Sequence, residues 1–316
     1  MSATLETSVL LQTGTALATV FAAGILAFPL LRASRTVRVA GLSALAVAIF
    51  LAPLLVPLPF SGFRLLVSLA SIMVGVKLYD LCRSVESGPP PGIGPFLTHL
   101  PNDCLLVFRG ATDVSPSRRA EEVRLLGLIP LTLCSAAILV AAFRFDWRPY
   151  PWVLEHVAKA MAICGVIRFG PNIGACARRR IGIPALDFSG RFLASATPAE
   201  FWRRWNRPAG RFLSHYVFRP TGGNRHPFLA VMATFGLNGL VHEYVFGIAA
   251  GRVLGWALVF FGIQGPATAA TLRLRPAGWG RPLGILLTLA FNAATSVLIF
   301  ACVDAIVPFY AGRTGP

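Results

Sequence analysis

Negative charge is scarce in this sequence, and charge of either sign is thin. The 316 residues include 13 Asp and Glu against 29 Lys and Arg, and charged residues make up only 13% of the chain. An ordinary soluble domain carries about a quarter, so this chain cannot cover the surface of a water-soluble globule. Also missing is any C-x-x-C pair: Cys82, Cys104, Cys134, Cys164, Cys176 and Cys302 are scattered. Neither a disulfide framework nor a zinc site is suggested, and in apolar surroundings Cys acts as a small hydrophobe. The N-terminus lacks a basic region, with Glu6 the only charge before the first apolar block. A cleaved signal peptide is therefore not expected, and residues 8–31 should remain as a first span. No internal repeat and no G-x-S-x-G element is present, which leaves a hydrolase serine unsupported.

What is present is apolar sequence in long blocks. Hydrophobic residues make up 55% of the chain, and blocks of about 20 residues are long enough to cross a hydrocarbon layer of about 30 Å. Eight stand out, at 8–31, 37–60, 63–82, 123–143, 151–169, 227–250, 254–272 and 282–306. The expected fold is all-α: one polytopic integral membrane domain over 1–316, with about eight spans plus short interfacial or re-entrant helices. Its parts are N-terminal spans (1–82), a Pro/Gly-rich loop (83–122), a basic region (170–226) and C-terminal spans (227–306). The fifth block carries Glu155, His156, Lys159 and Arg168, so it should tilt, line a cavity or lie at the interface.

The net charge of +16 raises nucleic acid as a partner, but basic residues also collect in the cytoplasmic loops of membrane proteins. With the N-terminus placed outside, the inside loops and their flanks hold 21 Arg; the outside loops and termini hold five, namely Arg64, Arg144, Arg148, Arg252 and Arg313. That asymmetry predicts cytoplasmic basic loops and non-cytoplasmic termini, and no nucleic-acid partner.

Two segments carry chemistry. Thr197-Pro198-Ala199-Glu200 reads as a helix start, with a capping Thr, Pro at the first helical position and Glu closing a capping box. The helix it opens is expected to run from Phe201 to Phe218, kinked at Pro208 and Gly210. On a helical wheel Phe201, Trp202, Trp205, Phe212, Leu213 and Tyr216 share one arc, while Arg203, Arg204, Arg207 and Arg211 share another. The arginines suit lipid headgroups or a phosphorylated substrate equally. Asn206 lies at the edge of the apolar arc, where its carboxamide needs a hydrogen-bond partner or costs about 1–3 kcal/mol.

The second segment, Phe235 to Gly247, reads FGLNGLVHEYVFG and places His242 and Glu243 inside an otherwise apolar span. Ionisable groups there are costly and usually face an interior cavity. Asn238, four residues before His242, is positioned to orient the imidazole. Gly236, Gly239, Gly247 and Ala250 lie beside Glu243 and leave room for close helix packing or a narrow tunnel. Residue 246 is Phe, so no H-E-x-x-H metal motif exists and no metal is implied. His156, His215 and His226 read as interfacial or structural. His99-Leu-Pro-Asn-Asp103 is one residue short of an H-x4-D pattern, and Gly92-Ile-Gly94 lacks the context of a nucleotide loop.

Together, the EFWRRWN run ending at Asn206, the basic loop after it and NGLVHEYVFG resemble the membrane-bound O-acyltransferase family, and most of all its wax-synthase branch. The match is strong over residues 197–250, and Lys77-Leu-Tyr-Asp80 echoes the branch's N-terminal half. The resemblance implies an acyl-CoA-dependent O-acyltransferase acting in the bilayer, with acyl-CoA as co-substrate, no other cofactor, and a hydrophobic alcohol or another hydroxyl as acceptor. It makes His242 the catalytic histidine and Asn206 its companion, supported by Trp205, Asn238 and Glu243. Arg203, Arg204 and Arg207, with Trp202, are the expected acyl-CoA contacts. A small-molecule tailoring transferase of the same family stays open. So does a transporter whose pathway is lined by Lys77, Glu155, Lys159, His242, Glu243 and Asp304, and so does a non-catalytic lipid-binding scaffold.

Overall fold

The computed structural model describes residues 3–110, 113 and 117–310, with side chains from residue 7 onward. The Glu6 side chain, the C-terminal residues with Arg313, and positions 111, 112 and 114–116 of the Pro/Gly-rich loop lie outside the described residues. Those that are described form eleven α-helices and no strand. Seven helical stretches are long and apolar enough to cross a membrane. They correspond to seven of the eight expected blocks. The remaining block, 254–272, folds into a 16-residue helix, Trp256–Thr271, about 24 Å long and short of a full crossing. The fifth block departs the other way: its helix runs from Trp152 to Arg180, 29 residues, and carries the start of the expected basic loop as helix.

The chain divides into two compact units, residues 1–110 with 241–254 and residues 111–240 with 255–316. In the first, α1 (Ala3–Leu30), α2 (Arg35–Leu51) and α3 (Ser61–Ser84) pack around a core that includes Ala16, Val20, Ala23, Ala27, Ile49, Val67, Val74 and Leu81. The α1 residues recur every three or four positions and are small, which lets helix backbones approach closely. Pro53 ends α2 because it has no N–H to offer the carbonyl of Ile49. The Ser71 hydroxyl of α3 donates to that carbonyl instead, at 2.8 Å. Tyr244 Oη donates to Phe50 O at 2.8 Å, and Arg64 Nε to Pro53 O at 3.4 Å. In a lipid environment each carbonyl left bare would cost several kcal/mol.

The Pro/Gly-rich loop of this unit is held by the two charges of the Lys77–Asp80 pattern. The fully buried Lys77 ammonium donates to the carbonyls of His99, Leu100 and Asn102 at 2.6, 2.9 and 2.7 Å. These close the C-terminal end of α4 (Ile93–His99), where carbonyls lack helical partners. Asp80 accepts the N–H of Phe108 at 2.7 Å, and Arg32 donates to Pro91 O at 2.9 Å. His99 lies 3% exposed with its ring edge-on to Phe108 and neither ring nitrogen hydrogen-bonded. Burial, reinforced by the Lys77 charge, pushes its pKa down to about 3, so the ring is neutral at physiological pH.

In the second unit, α5 (Arg118–Arg144) lies along α6 (Trp152–Arg180), and α10 (Trp256–Thr271) packs against α11 (Gly280–Asp304). Glu155, His156 and Lys159 of the fifth block are buried and paired. Lys159 pairs with Glu155 at 2.6 Å, donates to Phe309 O, and sits 4.6 Å from the Phe143 ring centroid. His156 Nδ1 meets Tyr310 Oη at 2.8 Å, and its Nε2 meets Ala293 O and Ser296 Oγ at 3.0 Å. Asp304 accepts the N–H groups of Phe309 and Tyr310 at 2.6 and 3.0 Å. These side chains fasten the segment after α11 to α6. Pro171 lies within α6 and frees the Ile167 carbonyl. The Ser189 hydroxyl reaches that carbonyl at 3.4 Å, while Asn172 Nδ2 donates to Arg168 O at 3.0 Å and Ser189 O at 3.1 Å.

The Lys77 clamp generates a direct expectation. Lys77→Met strands three carbonyls and should cost about 3 kcal/mol of local stability. Peptide-resolved maleimide labelling should then rise at the buried Cys104, inside the clamped segment, and stay unchanged at the buried Cys302 of the other unit. Labelling of Cys104 at the wild-type rate would mean that Lys77 does not hold the loop.

Candidate active site

The helix start at Thr197 forms largely as its sequence dictates. Thr197 Oγ1 accepts the Glu200 N–H at 3.1 Å, and Pro198 occupies the first turn of α7 (Pro198–Arg204). The return bond of the capping box shifts by one residue: Glu200 Oε2 accepts the Ala196 N–H at 2.6 Å. Burial alone would raise the Glu200 pKa, but this N–H and the Arg204 and Arg281 charges lower it on balance.

The expected single helix from Phe201 to Phe218 does not form. It breaks at Trp205–Asn206, ahead of the kink expected at Pro208 and Gly210, into α7 and α8 (Arg207–Leu213), with a π-helical turn at Ser214–Phe218. Pro208 causes the break, since it cannot donate to Arg204 O and its ring would clash with that carbonyl. The freed Arg204 carbonyl takes the Gly190 N–H at 2.8 Å, and the Arg207 N–H goes to Phe188 O at 2.7 Å. Asn206 absorbs the turn in the left-handed region at φ 31°, the one non-glycine residue there among those described. Asn tolerates this conformation better than most residues.

That geometry decides which end of the Asn206 carboxamide is available. Its Oδ1 accepts the Ala209 N–H at 3.2 Å and caps α8. Because the partner is a donor, the capping atom must be the oxygen. The Nδ2 group has no protein acceptor among the described residues, which leaves its two N–H bonds unpaired within the protein.

Splitting the helix also splits the arginine face. Arg204 pairs with Glu200 and donates to Arg191 O and Ala194 O at 3.0 and 3.2 Å. Arg207 grips Asp113 with both terminal nitrogens at 2.8 Å. Both guanidinium groups are therefore already committed to carboxylates. Arg203 stays exposed. Asp113 extends the Arg207 pair into a network: it accepts the Asp187 N–H at 2.8 Å, and Asp187 binds Arg124 at 2.5 Å and Arg179 at 3.0 Å. Arg179 in turn holds Glu121 at 2.8 Å.

Trp202 and Trp205 have distinct surroundings. The Trp205 ring stacks on Phe201 at 5.7 Å and meets the edge of Phe192 at 4.8 Å. Trp202 lies against Phe235, Phe260 and Phe261, and its Nε1 donates to Gln264 at 2.9 Å. Gln264 is fully buried and donates to Asn292 and Thr295 at 3.2 and 2.9 Å. This geometry makes Trp202 an anchor that holds α7 against α9 (Pro227–Ala250) and α10. Sequence reasoning missed Gln264, although a lone carboxamide within the apolar run of α10 signalled it. It also missed Asp113, whose position in a Pro/Gly-rich loop gave no sign.

His242, Glu243 and Tyr244 lie on α9 (Pro227–Ala250), one turn beyond Asn238. The His242 ring lies 6.2 Å from that of Phe246. Glu243 Oε1 accepts the Leu254 N–H at 2.6 Å and closes the turn after α9, where Gly251 and Gly255 adopt positive φ. Gly239 is buried with Leu258 Cα 3.5 Å from where a β-carbon would sit, in line with the close packing expected of this strip. Asn206 and Asn238 belong to the second unit, and His242 and Glu243 to the first. Among the described residues no three His, Cys, Asp or Glu side chains cluster as metal ligands. Of the side chains expected to line a transport pathway, Lys77, Glu155, Lys159, Glu243 and Asp304 each hold a helix, a turn or a terminal segment in place.

The Arg207–Asp113 pair has a testable pH signature. Burial would raise the Asp113 pKa, but the Arg207 hydrogen bonds, the Asp187 N–H and the nearby arginines hold it below the usual carboxylate value. A depressed folded-state pKa gives stability that is present above about pH 3.9 and is lost as pH falls through the folded value. Wild-type protein should thus keep its thermal midpoint down to about pH 4. Arg207→Gln should lose about 1 kcal/mol at neutral pH and begin its acid decline at higher pH. Overlapping pH profiles for the two proteins would refute the pairing.

The model of the MBOAT, membrane-bound O-acyltransferase family, matches residues 136–293, half of the chain, including Asn206 and His242. The chain is 30% identical over 131 residues to a probable long-chain-alcohol O-fatty-acyltransferase 1 of Arabidopsis thaliana, over 36% of this chain and 37% of that one. It is 34% identical over 61 residues to the membrane-bound O-acyltransferase gup1 of Schizosaccharomyces pombe, over 19% of this chain and 10% of that one. The matches thus span little more than a third of the first relative and a tenth of the second. With matching sequence across half its length and an all-helical, multiply spanning fold, the chain belongs to the membrane-bound O-acyltransferase family.

Proposed function

We propose that the protein is an acyl-CoA-dependent O-acyltransferase that esterifies the hydroxyl of a hydrophobic alcohol, with His242 as general base. The observation that carries the reading is the Asn206 carboxamide, fixed by its capping oxygen so that only N–H donors remain to meet a ligand. Acyl transfer needs such a donor, because attack on a thioester carbonyl places negative charge on its oxygen. Family membership and the named alcohol-acyltransferase relative support the substrate class.

In the proposed reaction a neutral His242 imidazole removes the alcohol proton as its oxygen attacks the thioester carbon. The carbonyl oxygen becomes an oxyanion stabilised by Asn206 Nδ2. Collapse of the tetrahedral intermediate breaks the carbon–sulfur bond and expels the coenzyme A thiolate, which takes the proton from imidazolium. The products are an ester and free coenzyme A, and His242 ends neutral. Asn238, one turn before His242, orients the ring, and Trp205 packs beside Asn206. Arg203 supplies positive charge at the protein surface for the donor, on loops proposed to be cytoplasmic.

Purified protein mixed with acyl-CoA should release free thiol only when a long-chain alcohol is added, with the ester identified by mass spectrometry. His242→Ala should lower turnover by about 10²–10⁴-fold in folded protein. The two roles of Asn206 separate by substitution. Asn206→Asp keeps a capping oxygen and should retain stability while losing about 10²–10³-fold in turnover. Asn206→Ala should lose both turnover and about 1 kcal/mol. Ester formation by His242→Ala at the wild-type rate would sink the mechanism.

A further inference from the structure

The loop joining the π-helical turn to α9 folds back on itself. Gly222 and Gly223 adopt φ of +112° and +51°. The Gly223 N–H returns to Phe218 O at 2.9 Å and the Arg219 N–H to Ser214 O at 3.1 Å. A side chain at Gly222 would collide with His226, with Cβ 2.9 Å from a β-carbon placed there. This tight reversal brings Arg219 and Arg225, six positions apart in sequence, to one pocket of about 680 Å³ with Ser214, Phe218 and Asn224. The concavity is open to its surroundings, with Arg219, Asn224 and Arg225 exposed.

The charge balance of the pocket is one-sided. No acidic residue occurs between Glu200 and Glu243. Unlike Arg204 and Arg207, neither Arg219 nor Arg225 has a carboxylate partner among the described residues. Two unpartnered guanidinium groups on one concavity match a doubly charged anion rather than a single carboxylate. The Phe218 ring adds an apolar wall, and Asn224 and Ser214 add neutral hydrogen-bonding groups.

We propose that this pocket binds a phosphomonoester through Arg219 and Arg225, and that the phosphomonoester is the 3′-phosphate at the nucleotide end of the acyl donor. The second part rests on the acyl-CoA reading above. The same chemistry is offered by the headgroup of phosphatidate, so the test separates the two sources. The pocket takes over the phosphate-binding role that the sequence suggested for Arg204 and Arg207, whose guanidinium groups are occupied.

The experiment uses the full chain in phosphatidylcholine nanodiscs, wild type and Arg219→Gln/Arg225→Gln, with calorimetric titration of coenzyme A and 3′-dephospho-coenzyme A. Wild type should bind coenzyme A about tenfold more tightly than the dephospho form, with the difference shrinking as salt rises. The double variant should bind both as weakly as wild type binds the dephospho form, which also shows that it is folded. A parallel arm measures phosphatidate retained from mixed nanodiscs by native mass spectrometry. Arginine-dependent retention of phosphatidate without discrimination between the two coenzymes would assign the phosphomonoester to lipid and overturn the donor assignment. A double variant unchanged toward all three ligands would overturn the site. Wild type binding neither coenzyme would refute the acyl-CoA reading on its own, and the phosphatidate arm would still decide the pocket.

Discussion

A carbonyl that loses its helical N–H partner in an apolar environment must find another donor, and this requirement organises much of the molecule. Pro53 ends a helix, Pro208 breaks one and Pro171 lies within one, and in these three cases the freed carbonyl is met from outside the helix: Ile49 O by Ser71, Ile167 O by Ser189, and Arg204 O by the Gly190 N–H. An exposed carbonyl in water would cost little, but in hydrocarbon or a packed core it costs several kcal/mol. Each such carbonyl therefore brings a second element to a set position. At Pro53 the result is the contact of α2 with α3; at Pro208 it is the placement of Asn206.

Buried charge follows the same rule. Lys77, Glu155, Lys159, Glu243 and Asp304 look in sequence like the marks of a conduction pathway, yet Lys77, Lys159, Glu243 and Asp304 bind backbone groups, and Glu155 pairs with Lys159. An ammonium that meets three carbonyls and a carboxylate that meets two N–H groups offset much of their desolvation through charge-assisted hydrogen bonds. They act as fasteners for segments that would otherwise fray from the helices.

Asn206 shows how backbone geometry fixes the orientation of a polar group. A left-handed residue between two short helices is strained, and it is held here by bonds on both sides, from Gly190 to Arg204 and from Arg207 to Phe188. The Arg207–Asp113 pair and the Trp202–Gln264 bond tie the flanking helices to the rest of their unit. In the proposed reaction a donor fixed in this way would need no reorganisation when charge develops on the thioester oxygen.

Composition and apolar block length were enough to determine a multiply spanning helical protein, because crossing hydrocarbon demands long uninterrupted apolar helices. Local chemistry was equally legible at Thr197-Pro198-Ala199-Glu200, since a helix cap is decided within four residues. The pairing of Asn206 with a later intramembrane His242 was readable as a family pattern. Tertiary structure alone decided the break at Trp205–Asn206, because a helical wheel treats Pro208 as a kink and cannot see the Gly190 and Phe188 groups that make a full break affordable. It alone decided which arginines are occupied, because Asp113 is 94 residues from Arg207 and ion pairing depends on distance in space. And it alone showed Lys77, Lys159, Glu243 and Asp304 as fasteners, because each binds backbone carbonyls or N–H groups, which every residue carries and no sequence pattern distinguishes.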